Sequence, residues 1–293
     1  MLYDITLKIE YAYDSLADAG RHILRLTPAT LPGRQRVIAS SLDVAPIPTE
    51  QGLFFDFFDN RCINISYDGA VEETSFLMKA RVDRTALEQL FDVSPSLERL
   101  AKELETVNSV SPESPHHFRG RSPRVPQVSE IAAWAKTLSA GSGTALEAVT
   151  AICTALHREM TFDPEATAVD TPLEEAFRAR HGVCQDFTHI AICALRSIGV
   201  PAGYVSGFLR TIPPKGAARL EGADAMHAWV RAWSGLEMGW VEFDPTNNMM
   251  AGEDHVVVAV GRDYFDVAPV KGALRTAGSQ DTSQSVDMVA VLS

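Results

Sequence analysis

The chain has 293 residues, 46% hydrophobic and 22% charged, with a formal net charge of −12. This composition buries a full core and excludes a disordered chain, while the acidic balance excludes nucleic acid and anionic membrane surfaces as main partners. Four cysteines (Cys62, Cys153, Cys184 and Cys193) make no CxxC pair or disulfide framework, and Met1-Leu2-Tyr3-Asp4 starts no signal peptide, so a reducing, cytoplasmic location is expected.

Residues 1 to about 85 read as β. Ile5 to Tyr11 alternates apolar and polar residues, and His22 to Leu26 gives a second short strand. Val37 to Ala39, Leu42 to Val44, Phe54 to Phe58, Cys62 to Tyr67 and Thr74 to Val82 follow, with turn signals between them. Short strands of this kind predict an antiparallel sandwich. Leu87, Leu90 and Phe91, then Leu97, Leu100 and Leu104, have helical spacing. Ser109 to Val128 holds four prolines with His116-His117 among them and reads as a solvated connector.

From Ser129 the periodicity is helical. Ser129 and Thr144 are candidate caps, and Thr171-Pro172-Leu173-Glu174-Glu175 starts a helix leading toward Arg180. Arg180-His181-Gly182-Val183-Cys184 then precedes a helix with Phe187, Ile190, Ala191, Ala194, Leu195 and Ile198 on one face, ending at Gly199. Strands are expected at Ala202 to Leu209, Ala225 to Trp233, Gly239 to Phe243, His255 to Val260 and Val286 to Leu292, the last packing back on the first domain, with a loop from Thr211 to Gly222. The resulting division is 1–105, a β-sandwich domain; 106–128, a Pro-rich connector; 129–270, a catalytic core; and 271–293, a tail with a final strand.

The chemistry centres on Cys184. At a helix N-terminus, unpaired N–H groups and the helix dipole favour a thiolate. A free thiol, with a pKa near 8.5, is only a few per cent thiolate at neutral pH, so it needs a base. His227, Trp229, Arg231 and Trp233 share one face of their strand, and Trp240, Glu242 and Asp244 share one face of the next. A four-residue hairpin loop, Ser234 to Glu237, sets His227 opposite Asp244, at about 4.5–5.5 Å between Cβ atoms. A loop two residues longer keeps the face and makes the pair diagonal. The order Cys184, His227, Asp244 supplies nucleophile, base and orienter. The N–H of Cys184 is an oxyanion donor.

The other cysteines read as buried hydrophobes, and His22, His157, His181, His189 and His255 as structural. His181, Cys184, His189 and Cys193 have ligand chemistry, but one helix and its loop do not wrap a tetrahedral ion, so no metal and no cofactor are expected. Trp229, Trp233 and Trp240 suit either a substrate groove or the core.

These blocks resemble the bacterial transglutaminase-like family. The resemblance lies in Gly182 to Phe187, Gly199-Val200-Pro201-Ala202 with Tyr204-Val205-Ser206-Gly207, His227-Ala228-Trp229-Val230, and Gly239-Trp240-Val241 with Phe243-Asp244-Pro245-Thr246-Asn247. Gly261-Arg262-Asp263-Tyr264 and Asp266-Val267-Ala268-Pro269 extend it, and Leu24 to Pro28 with Asp59-Asn60 resembles the family's N-terminal domain. The resemblance implies an α+β protein: an N-terminal β-sandwich followed by a papain-like core, with a triad at Cys184, His227 and Asp244. Three positions depart from the pattern. Gly203 replaces a usual arginine, Arg231 a usual acidic residue, and Asp59 a usual glycine. Arg231, Trp229 and Trp240 are weaker candidates for substrate contact. The expected activity is amide hydrolysis of a peptide or protein through a thioester. The alternatives are transfer of the acyl group to an amine, as a transglutaminase, and a non-catalytic binding module.

Overall fold

The computed structural model describes residues 1–85, 91–211, 224–275 and 279–291. Leu87 and Leu90, residues 212–222 of the expected loop, and Leu292 lie outside the described residues. The chain begins with five strands: β1 (Leu2–Leu24), β2 (Gln35–Ala45), β3 (Glu50–Phe55), β4 (Arg61–Ser66) and β5 (Val71–Arg84). The first two expected strands are one. β1 runs for 23 residues, with Tyr3, Ile5, Leu7 and Ile9 at most 2% exposed on its inner face. Its register with β5 shifts between Ala12 and Ala17. That irregularity bends the strand, so its far end, Arg21–Leu24, pairs instead with β4. β2 likewise fuses two expected pieces.

The expected strand Phe54 to Phe58 ends at Phe55. Asp56 closes the turn after it, accepting from the N–H of Phe58 and Asn60 at 3.0 Å each. Asp59 has φ of 62°, the left-handed region where glycine is usual and aspartate is tolerated. This accounts for the replacement of the family's glycine.

The second part holds α1 (Leu97–Thr106), a 3-10 turn at Pro115–Phe118, α2 (Ser129–Ser139), α3 (Ala145–Glu159), β6 (Thr161–Phe162), α4 (Leu173–Ala179), β7 (His181–Gly182) and α5 (Cys184–Ser197). Thr144 caps α3, its hydroxyl accepting from Glu147 N–H at 3.2 Å. Ser129 and Thr171 do not cap their helices; Val128 and Pro172 hold those positions. The Pro-rich segment is not simply solvated, because Phe118 is fully buried between Phe58 and Trp240.

Next come β8 (Ala202–Leu209), β9 (Ala225–Trp233), β10 (Trp240–Asp244), β11 (Met249–Met250) and β12 (His255–Gly261), in sheet order β11-β10-β9-β8-β12. Helix α5 packs on β8 and β9. Val205, Trp229 and Val257 instead pack toward Ala29 and Leu31 of the first domain. Two amides fasten the domains along β12. Gln35 donates to Val257 O at 2.7 Å and accepts from Val257 N–H at 2.9 Å. Asn60 does the same with Val260, at 2.8 Å in both directions. After α6 (Tyr264–Val267), strands β13 (Val270–Arg275) and β14 (Gln280–Ala290) return to β1. Among the described residues no helix is long and apolar enough to cross a membrane.

Candidate active site

Cys184 is the first residue of α5 and is half-buried. The approach to it is rigidly held. Arg180 ends α4 with φ of 58°, and β7 pairs with β6. Asp186 folds back to accept from Val183 N–H at 2.9 Å and from the Thr167 hydroxyl at 2.6 Å. Gly182 leaves room for this, since a Cβ there would lie 2.6 Å from Asp186 Oδ2. Gln185 donates to Val169 O at 3.0 Å. As the first helical residue, Cys184 presents an N–H with no intrahelical acceptor.

β9 and β10 pair with Trp240 opposite Trp233 and Glu242 opposite Arg231. The hairpin loop is therefore Ser234 to Gly239, two residues longer than the expected four, with Gly235 and Gly239 at φ of 107° and 67°. This corrects the register and makes His227 and Asp244 diagonal rather than directly opposed. Side-chain parity is unchanged, and His227 Nε2 donates to Asp244 Oδ2 at 2.7 Å. The other ring nitrogen is left for Cys184, whose side chain helps to raise the pKa of the ring.

Asp244 is fully buried. Its Oδ1 accepts from the N–H groups of Thr246 and Asn247 at 3.0 and 3.1 Å. Its Oδ2 accepts from Asn247 Nδ2 at 2.8 Å and His255 Nε2 at 3.1 Å, besides His227. Burial would raise its pKa, but hydrogen bonds from His227 and His255 hold it well below the usual carboxylate range. Burial likewise opposes a charged His227, yet hydrogen bonds to Asp244 and Cys184, reinforced by their charges, raise its pKa to about 10. The arrangement favours an imidazolium held against the Asp244 carboxylate.

His255 belongs to this site, which its sequence position did not reveal. Its Nδ1 accepts from Gly252 N–H at 3.2 Å, so the proton sits on Nε2 and points at Asp244. His227, Asp244 and His255 together have the composition of a metal centre, their ligand atoms lying within 4.8 Å of one another. The Nε2 proton of His255 accounts for the contact as a hydrogen bond and leaves no lone pair there for an ion. Asn247 was readable, since an aspartate followed by Pro-Thr-Asn is the pattern of an Asx turn.

Burial raises the thiols of Cys62, to about 11, and of Cys153 and Cys193. His189 is buried and neutral, its pKa lowered to about 3 by burial and then by Arg124 and Arg196, and it accepts from Tyr264 N–H at 3.2 Å. Trp229 is fully buried, stacked on His227 with ring centroids 6.2 Å apart. Its indole N–H donates to Glu242 Oε2 at 2.8 Å. It therefore backs the histidine and does not line an open groove. Arg231 and Trp240 line a separate cavity whose walls include none of Cys184, His227 and Asp244.

Residues 132–245 match the model of the transglutaminase-like superfamily, and residues 3–83 that of the bacterial transglutaminase-like N-terminal region. An uncharacterised Mycobacterium leprae protein is 30% identical over 282 residues, covering 95% of each chain. One from Mycobacterium tuberculosis is 29% identical over 302 residues, 98% of this chain and 92% of its own. A crystal structure from Cytophaga hutchinsonii, named provisionally as a cysteine protease, shares the fold with a TM-score of 0.77 at 21% identity, covering all of this chain and 91% of that one.

Proposed function

Because the chain belongs to the transglutaminase-like superfamily and carries its bacterial N-terminal region, we propose that it is a cysteine-dependent amide hydrolase of peptide or protein substrates. The observation that carries this reading is the His227 ring, hydrogen-bonded through one nitrogen to Asp244 at 2.7 Å with its other nitrogen left for Cys184 at the start of α5.

His227 holds the proton that Cys184 gives up, and the Cys184 sulfur attacks the amide carbonyl carbon. The oxyanion forms against the N–H of Cys184. The C–N bond breaks as His227 returns the proton to the leaving amine, giving a thioester. Water, deprotonated by His227, then attacks that thioester, and the products are a carboxylate and the restored thiol. Asp244 fixes the tautomer and stabilises the imidazolium. Amine transfer uses the same thioester but requires a site that admits the amine and excludes water.

The test is incubation with glutamine peptides, with and without a primary amine. Deamidation or backbone cleavage in both supports hydrolysis; ammonia replaced by amine would reassign the enzyme to transfer. Iodoacetamide labelling near neutral pH separates catalysis from a binding role. Cys184 should react well before Cys62, Cys153 and Cys193, and equal slow labelling of all four would remove the catalytic reading.

His255 acts through Asp244 and is a positioning residue. His255→Ala should lower kcat about 10–100-fold with little change in KM, move the alkaline limb of the pH profile down, and be partly restored by His255→Gln, which keeps a donor. Gly182→Ala pushes against Asp186 and displaces the Cys184 turn. A fall in kcat of about 100-fold is expected in steady-state assays.

A further inference from the structure

The two central departures from the family's pattern face each other: Gly203 on β8 pairs with Arg231 on β9. A Cβ on Gly203 would lie 2.7 Å from the Phe118 ring, so glycine admits that ring. Arg231 then lies between Phe118 and Trp240, 4.6 and 4.3 Å from their centroids. Its side chain is 6% exposed, and its Nη1 reaches Glu113, a carboxylate 61% exposed, at 3.2 Å. Its Nε and Nη2 have no partner among the described residues. Those two N–H groups form one edge of the guanidinium, the edge that holds a carboxylate through two parallel hydrogen bonds.

The surroundings repeat this shortage of acceptors. Glu242, paired across the sheet from Arg231, is 6% exposed and already accepts from Trp229 at 2.8 Å and Arg34 at 2.7 Å. Arg84 is fully buried, and among the described residues neither of its Nη atoms has a partner, nor does Arg34 Nε. Three guanidiniums thus surround one buried carboxylate, with five of their nitrogens unpartnered among the described residues. Uncompensated buried charge of this kind is costly, and a complementary anion offsets it.

Arg231 is among the residues lining a cavity of about 530 Å³ between the domains, with Arg34, Arg61, Glu242, Leu31, Phe55 and Val257. Asp59 and Glu113 on its walls are exposed. Cationic groups at one place and apolar walls at another suit a carboxylate carried on a short apolar body. We propose that this interdomain cavity binds a small organic carboxylate, held by the Nε–Nη2 edge of Arg231.

The experiment is thermal unfolding of the full chain with butyrate, inorganic phosphate, or chloride at matched ionic strength. Butyrate should raise the Tm saturably, by about 3–5 °C relative to chloride. Arg231→Lys keeps the charge but lacks the fork, and should lose most of that shift. Glu113→Gln removes the competing carboxylate and should lower the half-maximal butyrate concentration severalfold. No saturable shift, or an undiminished one in Arg231→Lys, overturns the proposal. So does a shift with phosphate and none with butyrate. If Arg231→Lys does not fold, Glu113→Gln decides, and an unchanged or raised half-maximal concentration overturns it.

Discussion

Cys184→Ala is expected to lower kcat/KM for amide hydrolysis about a million-fold, to the background left by binding and the oxyanion donor. The bond-forming atom is removed, so nothing else at the site replaces it. His227→Ala should cost about as much, and the double variant little more, because the two act in one step. Cys184 is half-buried and the Asp186 contacts that set its turn do not involve its sulfur, so the melting temperature should move by no more than a few degrees. Turnover close to wild type in Cys184→Ala would end the proposal.

Asp244→Asn should lower kcat about ten-thousand-fold, less than loss of the nucleophile, because it disturbs tautomer and charge and not bond-making. It should also destabilise the fold. Five hydrogen bonds converge on the two carboxylate oxygens. An amide offers one oxygen, so buried donors go unpaired at about 1–3 kcal/mol each.

The pH dependence follows from the same contacts. His227 has a folded pKa raised to about 10, above the unfolded value of about 6.5. Its stabilisation is therefore complete below about 6.5 and is lost as pH rises through about 10. Asp244 is depressed, so its contribution is present above the unfolded value of about 3.9 and is lost as pH falls through the folded one. Wild type should show an alkaline fall in activity and in Tm approaching pH 10. In Asp244→Asn the alkaline limb should move down, since the carboxylate that favoured the imidazolium is gone. A limb left in place would show that His227 is not held by Asp244.

Much of this site was legible in the sequence. Strand parity puts His227 and Asp244 on one face for a hairpin loop of four residues or of six, and a glycine and a helix pattern around Cys184 mark its place at a helix start. The register was not legible. Gly235 and Gly239 both take positive φ, and nothing in Ser-Gly-Leu-Glu-Met-Gly announces that all six residues belong to the loop. His255 was hidden for a different reason. It is fully buried at the start of β12, which the sheet order sets at the opposite edge from β11, and its hydrogen bond to Asp244 is a tertiary contact that no local pattern announces. In the first domain, alternation located the strands but not their fusion. The bend in β1 is a local register shift, and no composition signal marks it. Phe118, in a Pro-rich polar stretch, is buried because Gly203 on β8 makes room for its ring.

β14 pairs with β1 along eleven positions, from Tyr3 against Ala290 to Tyr13 against Gln280. On a ribosome, the first strand emerges long before its partner exists. Until synthesis reaches Ala290, one side of β1 offers unpaired backbone groups to any passing strand, the condition that invites aggregation. The first domain cannot complete its sheet until the residues of the second have been made, although it is begun first. Closure of so long a loop is slow, and the second domain has time to form in the interval.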